Sequence, residues 1–278
     1  MSAQLLDIVT TAAIFYIVAA GLLIVFGVMR IINFAHGGFL TIGGYSALLI
    51  TNLGLNPWLA LPCAALSGLV IGALVEHFVV RPLYARPLDA ILATWGLGIV
   101  IGQLITIAFG REVQFVQSPV QGTITVIGES YSQYRLILTL GAVLLAVALA
   151  TILQGTRLGL MTRAVIMDES LARGLGINSG LVRFASFSIG SALASLAGAL
   201  ITPLSSVDPN LGVPWLVNAF MLVMVSGTSL ISLGIATLVL GGAQVLISSY
   251  FSPVLGGLTI VVLAAVILRI RPQGLARE

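Results

Sequence analysis

"VMRIINFAHGGFLTIGGY" occupies residues 28–45 and stands between two apolar runs. Arg30, Asn33 and His36 recur three residues apart, and the pairs Gly37-Gly38 and Gly43-Gly44 follow. That spacing puts the three polar side chains on one helical face. Two readings are open. In one, the stretch is an interfacial helix end, where Arg30 snorkels to the polar boundary and Asn33 caps the next helix. In the other, a helix is broken within the membrane, and its freed backbone groups and polar side chains line a path. The glycine pairs favour breakage or very close packing. Irregular backbone at membrane depth is tolerated only where protein or a cavity surrounds it.

Composition makes the membrane the solvent. Hydrophobic residues are 59% of the 278 and charged ones 8%, against roughly 25% charged in soluble domains. Mean hydropathy is +1.14. All 12 basic residues are arginine, and they lie in short connections between apolar runs. The pI near 9.4 is therefore a matter of membrane orientation rather than nucleic-acid binding. Cys63, the single cysteine, sits in an apolar run and supports neither a disulfide framework nor a metal site. Residues 8–28 lack a basic leader, carry Asp7 before them and are long enough to span, so they are expected to stay in the mature protein.

Apolar windows fall near 8–28, 36–51, 57–79, 90–109, 135–154, 184–203, 214–229, 231–251 and 253–270. They predict an all-α polytopic bundle of eight or nine membrane helices with interrupted segments, a single domain over residues 1–278. The region 204–251 is the least regular of it. Arginines mark alternate connections: Arg30; Arg81 and Arg86; Arg157, Arg163, Arg173 and Arg183; Arg269, Arg271 and Arg277. By the positive-inside rule the N-terminus is then outside and the C-terminus cytoplasmic. Residues 110–134 form the largest outer loop, with a hairpin or loose cap expected around Thr123–Val126. GxxxG spacings at Gly68/Gly72 and Gly98/Gly102, extended by Gly190, Ala194 and Gly198, read as helix-packing positions.

Several chemistries are missing. No phosphate-binding GxxxxGK[ST] exists in a chain without lysine, and no HExxH, GxSxG or GxGxxG occurs. Glu76 and His77 are adjacent, hence about 100° apart on a helix, and do not make a shared site. The nine acids fall at span ends or in loops, whereas carriers driven by protons or sodium bury acids near the midplane. The expectation is a non-catalytic protein with no metal and no cofactor, whose energy comes from another chain.

A second interrupted region, "MVSGTSLISLGIATLVLGGAQ" at 224–244, repeats the theme with Ser226, Gly227, Ser229 and the pair Gly241-Gly242. Paired interruptions in two halves point to a transporter pathway. The inner-loop run "RAVIMDESLARGLGIN", 163–178, predicts one short helix with a Glu169–Arg173 pair, a stop at Gly174 and Gly176, and apolar surface from Val165, Ile166, Ala172 and Leu175.

With these stretches in place, "FGVMRIINFAHGGFLTIGGY" resembles the signature of permease subunits of ABC importers for branched-chain amino acids and related amides, the Liv type. The likeness continues through "RPLYARPLDAILATWGLGIVIGQ", "TRLGLMTRAVIMDESLARGLGIN", "DPNLGVPWLVNAFMLVM" and "ILRIRPQGL", covering nearly the whole chain in order. The stretches "RPLYARPLDAILATWG" and "PNLG" lean towards the urea branch, and "LGIN" towards the amino-acid branch. The chain departs from the family's Gly-Gly-x-Gly-Ser-like turn at Ser226–Leu230 and from Glu-Ala-Ala at Ser170–Ala172.

The resemblance implies the translocation subunit of an ATP-driven importer in a bacterial inner membrane. Its implied partners are a homologous second permease or a second copy of this chain, two cytoplasmic ATPases and an extracytoplasmic solute-binding protein. Residue pattern and resemblance together assign Asn33, His36, Gly37, Gly38, Thr94, Ser226 and Ser229 to the path. Within the loop at about 157–183, the resemblance assigns ATPase coupling to Asp168, Glu169, Ala172, Arg173 and Gly176. The alternative is a facilitative urea or amide channel working without ATP, against which the coupling-like loop argues.

Overall fold

Apolar runs that lack water must satisfy their backbone groups internally, and here they do so as helices. The computed structural model describes residues 2–126 and 128–275; Arg277 lies outside the described residues. Each of the nine apolar windows holds a helix. These are α1 (Ser2–Met29), α2 (His36–Asn52), α3 (Ala60–Val75), α4 (Pro87–Phe109), α5 (Gln133–Gly155), α8 (Ser179–Ile201), α9 (Gly212–Ser226), α10 (Leu230–Tyr250) and α11 (Pro253–Ile270). Among the described residues seven segments are long and apolar enough to cross a membrane, counting the turns that flank α3 (57–83) and follow α8 (179–204); α9, with 15 residues, is apolar but shorter, and α2, with 17, is not among the seven. The inner loop forms α6 (Arg157–Met167) and α7 (Glu169–Gly174).

The helix α1 is apolar all round, and such helices belong at the centre of a bundle. It is enclosed by α8, α10, α5 and α9. The faces of α3, α4, α5, α10 and α11 that point away from this centre carry exposed side chains such as Leu66, Leu92, Leu144, Leu238 and Val262, a surface suited to lipid.

The two ends of the bundle differ. At one end α1 begins beside a hairpin of β1 (Thr123–Val126) and β2 (Glu129–Ser132), paired antiparallel with Thr123 opposite Ser132. Asp7 ties the hairpin down: it accepts from Tyr131 Oη at 3.0 Å and pairs with Arg135 at 2.8 Å. The hairpin expected in the outer loop is present, and the isolated bridge Gln114–Val207 binds that loop to the connection before α9. At the other end Arg30 reaches the inner loop, its Nη2 donating to Ile166 O at 3.3 Å.

Three sequence expectations change. The 163–178 segment is two helices, because Asp168 is extended (φ −154°, ψ 106°) and caps the second. The span expected at 214–229 stops at Ser226, since Gly227 takes φ 66°, a left-handed conformation suited to glycine. Finally, α2 runs unbroken through both its glycine pairs. The interruption lies before them, at residues 30–35, where Arg30 has φ 52°.

The α2 glycines serve close approach instead. A Cβ on Gly43 would land on the Ser195 carbonyl, and one on Gly212 would land on the Gly37 carbonyl. So α2 lies backbone to backbone against α8 and α9, which is how helices pack where lipid gives no hydrophobic drive.

Candidate functional site: a lateral cavity and an inner-face junction

A cavity of about 430 Å³ opens between α2, α4 and the start of α9. Its α2 side is Phe34, Gly37, Gly38 and Thr41; its α4 side includes Trp95, Gly98, Gly102 and Gln103; Asn210 and Val213 close it from α9. Trp95 and Val213 are 58% and 57% exposed, so the cavity opens sideways at the surface of the chain. Among the described residues, no charged side chain lines it. Thr41 braces one wall, its Oγ1 donating to Gly37 O and accepting from Gly212 N, both at 3.1 Å.

Gly98 and Gly102, read from sequence as packing positions, face this cavity. A Cβ at either would come no nearer than 3.5 Å to Phe34 O or 3.6 Å to Pro209 O. They widen the space rather than seat a helix. By contrast, Gly68 and Gly72 do pack, against Ser191 and Ser195 of α8.

Of the residues assigned to the path from sequence, Gly37 and Gly38 line the cavity. Asn33, His36 and Thr94 are buried behind it, around the 30–35 interruption. Asn33 Oδ1 accepts from Ala35 N at 3.1 Å, closing a local turn inside the interruption, while its Nδ2 has no partner among the described residues; the N-cap of α2 is Ala35, without a side-chain cap. His36 Nε2 meets Val18 O at 3.0 Å, joining α2 to α1. Thr94 Oγ1 accepts from Phe34 N at 3.3 Å and donates to Ile91 O at 2.9 Å, holding the interrupted segment to α4. Ser226 and Ser229 sit at the second interruption. Ser226 Oγ donates to Val223 O, and Ser229 caps α10 by accepting from Ser232 N at 3.3 Å. Neither lines the cavity.

Sequence reasoning missed Trp95, Gln103 and Asn210. Gln103 carried a usable signal, an amide in an otherwise apolar helix.

At the inner face, Asp168 Oδ1 accepts from Ser170 Oγ at 2.6 Å, Ser170 N at 2.8 Å and Leu171 N at 3.0 Å. The Ser170 hydroxyl and these amides hold its carboxyl below the usual carboxylate range. Glu169 pairs with Arg173 at 2.9 Å and with Arg183. Gly176, at φ 85°, ends the turn, and its N–H donates to Arg173 O.

The apolar surface differs from the sequence expectation. Ala172 is 2% exposed and Val165 is also buried, so both pack inside this chain, whereas Met167, Leu171 and Leu175 are exposed. Alternation within a short amphipathic helix did not distinguish the two faces. Ile166 meets the first interruption through its carbonyl, which accepts from Arg30, and its side chain and that of Thr228 both lie beside Gly27 near the end of α1.

A helical membrane bundle with a central enclosed helix, two interrupted segments and a side-opening cavity is the architecture of a transport subunit. The chain belongs to the family of branched-chain amino acid transport system permease components, whose model matches residues 4–270. It is thus a non-catalytic, multi-pass inner-membrane permease of the Liv type.

It is 28% identical to the high-affinity branched-chain amino acid transport system permease protein LivH of Salmonella typhimurium, over 98% of this chain and 94% of that one. It is also 26% identical to the LivM permease of the same system in that organism, over 97% of this chain and 69% of LivM. Among solved structures, PsaBC from Streptococcus pneumoniae in complex with Fab shares the fold, with a TM-score of 0.54 and 16% identity over 97% of this chain and 92% of that chain.

Proposed function

We propose that this permease forms half of the translocation path of an ATP-driven importer for branched-chain amino acids. The observation that carries the coupling part is the inner-face junction. There α6 packs on the end of α1 and meets the first interruption, its Ile166 carbonyl accepting from Arg30, and α7 packs on α6 and α8, while Met167, Leu171 and Leu175 present apolar side chains outward. An element exposed on one side and tied to the first break on the other suits ATPase docking. Asp168 and Glu169 fix its shape, Arg173 and Gly176 border its exposed face, and Ala172 anchors it inward.

The substrate reading rests on the cavity. Trp95, Ile99, Val213 and Val217 offer an apolar wall, and Thr41, Gln103 and Asn210 supply a few polar groups. Such a lining suits an aliphatic side chain attached to a polar head better than urea, which has no apolar part to bury. The sideways opening supports a second permease chain as its missing wall, and likeness to both LivH and LivM favours a homologue. Two ATPases and a solute-binding protein complete the assembly. The arginine-bearing end is cytoplasmic and the hairpin end, with the N-terminus, is outside.

Reconstitution of the permease with its ATPases and binding protein tests this. ATP-dependent uptake of leucine, isoleucine or valine is expected, and none by the permease alone. Urea flux through the permease alone, without ATP, would instead establish the facilitative channel.

A further inference from the structure

One buried acid has no place in the cavity or the interruptions. Glu76 is fully buried at the start of the π-helical turn Glu76–Val80 that ends α3, and single π turns inside α-helices concentrate at functional sites. Its Oε1 accepts from the hydroxyl of Tyr84, while Oε2 has no partner among the described residues. Burial, and then the bond to Glu76, push the Tyr84 phenol well above its usual range, so it remains a donor.

The face of the Tyr84 ring carries the Arg183 guanidinium, 4.6 Å from its centroid. Arg183, near the start of α8, pairs with Glu169 of α7. Glu169 also holds Arg173, whose Nε donates to Ser179 Oγ at 2.7 Å. A continuous line of directional contacts therefore runs from α7 across the start of α8 to the interior end of α3.

Directional contacts differ in kind from the apolar seat of Ala172. An apolar contact lets two surfaces slide, whereas an ion pair and a ring-stacked guanidinium fix distance and angle. A hollow of about 620 Å³ between Tyr84, Glu169, Arg173 and Arg183 gives the line room to move as a unit.

We propose that Tyr84 and Arg183 are positioning residues that transmit displacement of α7 to the π turn of α3, a second mechanical output beside the one through Ile166. This rests on the coupling role proposed for α7. Neither residue touches substrate or ATPase; each acts by holding the next.

The test uses the complete importer in proteoliposomes and reads substrate moved per ATP hydrolysed. Tyr84→Phe removes one oxygen and keeps the ring beneath Arg183; Arg183→Gln removes the cation. Each is expected to lower the ratio at least about fivefold, the lower end of typical couplings between sites, with basal hydrolysis unchanged. The double variant should be no worse than either single one, because a line broken once is already broken. Arg183→Lys, which keeps the charge, should recover part of the loss.

A parallel cross-link to the ATPase from Leu171→Cys, with Cys63→Ser to remove the exposed native thiol, separates the two ideas. No cross-link overturns the coupling reading and this inference with it. A cross-link with unchanged ratios in both variants, or losses that multiply in the double variant, overturns this inference alone. If Arg183→Gln lowers the yield of folded complex, Tyr84→Phe decides.

Discussion

The two interruptions look alike in sequence, each a polar break followed by glycine pairs, yet they are built differently. At residues 30–35 the break is enclosed by buried polar groups, and the following glycines press α2 against the backbones of α8 and α9. At residues 227–229 the break is more open, with Thr228 exposed. Its glycine pair Gly241-Gly242 lies within α10, where the nearest neighbours are the side chains of Phe15 and Ile8 and the Ala12 backbone stands off at 3.6 Å, an ordinary contact distance. Backbone contacts cannot yield, and side chains can. The first interruption is therefore a fixed frame beside the cavity, and the second is the more compliant one.

The strongest way to break this contrast is to add one methyl group on each side. Gly43→Ala puts a Cβ onto the backbone of Ser195; we expect a loss beyond about 3 kcal/mol, the upper end of usual overpacking costs. Folded permease should disappear from size-exclusion profiles in detergent. Gly241→Ala meets Phe15 Cδ2 at 3.3 Å, and should cost no more than about 1 kcal/mol because a ring can shift. Equal behaviour of the two would remove the distinction.

Next in size is Asn33→Leu with His36→Leu, which leaves the Val18 carbonyl and the Ala35 amide without their partners. A stability loss of about 1–3 kcal/mol per group is expected, read as a lower midpoint of thermal unfolding, together with reduced uptake in the assembled importer. Unchanged uptake would leave these residues with a scaffolding role only. At the second interruption, Ser229→Ala removes the α10 cap and should cost about 1 kcal/mol, a smaller fall in the same midpoint.

The least effect belongs to pH at the inner loop. The folded Asp168 carboxyl lies below its ordinary value. Its cap is therefore fully present above the ordinary carboxylate range and is lost as pH falls through the lowered folded value. Amide exchange at Ser170 and Leu171, corrected for intrinsic pH dependence, should lose protection in that acidic window and hold constant at neutral pH.

Much of this was legible in the chain itself. All nine windows hold helices, the hairpin expected in the outer loop is present, and both interruptions fall within the quoted stretches. Part of what stayed hidden has a common cause. In lipid the outward face of a helix is as apolar as the inward one, so periodicity does not say which face meets protein. Gly98 and Gly102 thus read like Gly68 and Gly72, though one pair opens a cavity and the other seats a helix. Ala172 was placed on the outside for a different reason: six residues of α7 are too few to separate its faces by pattern, and only its burial shows it to be an anchor. Glu76 was hidden for another reason: its partner Tyr84 lies beyond a π turn, which helical spacing does not anticipate.

The enclosure of α1 also bears on biosynthesis. Its neighbours α8, α9 and α10 are all translated later, yet they cover most of its surface, and Gly21 is fitted to the backbone of Gly190. When α1 enters the membrane, lipid must stand in for them. Because lipid solvates leucine and valine as well as protein does, that wait within the membrane costs little. Chains released before α8 would insert stably but remain loose, with α1 at the edge of a partial bundle instead of its axis.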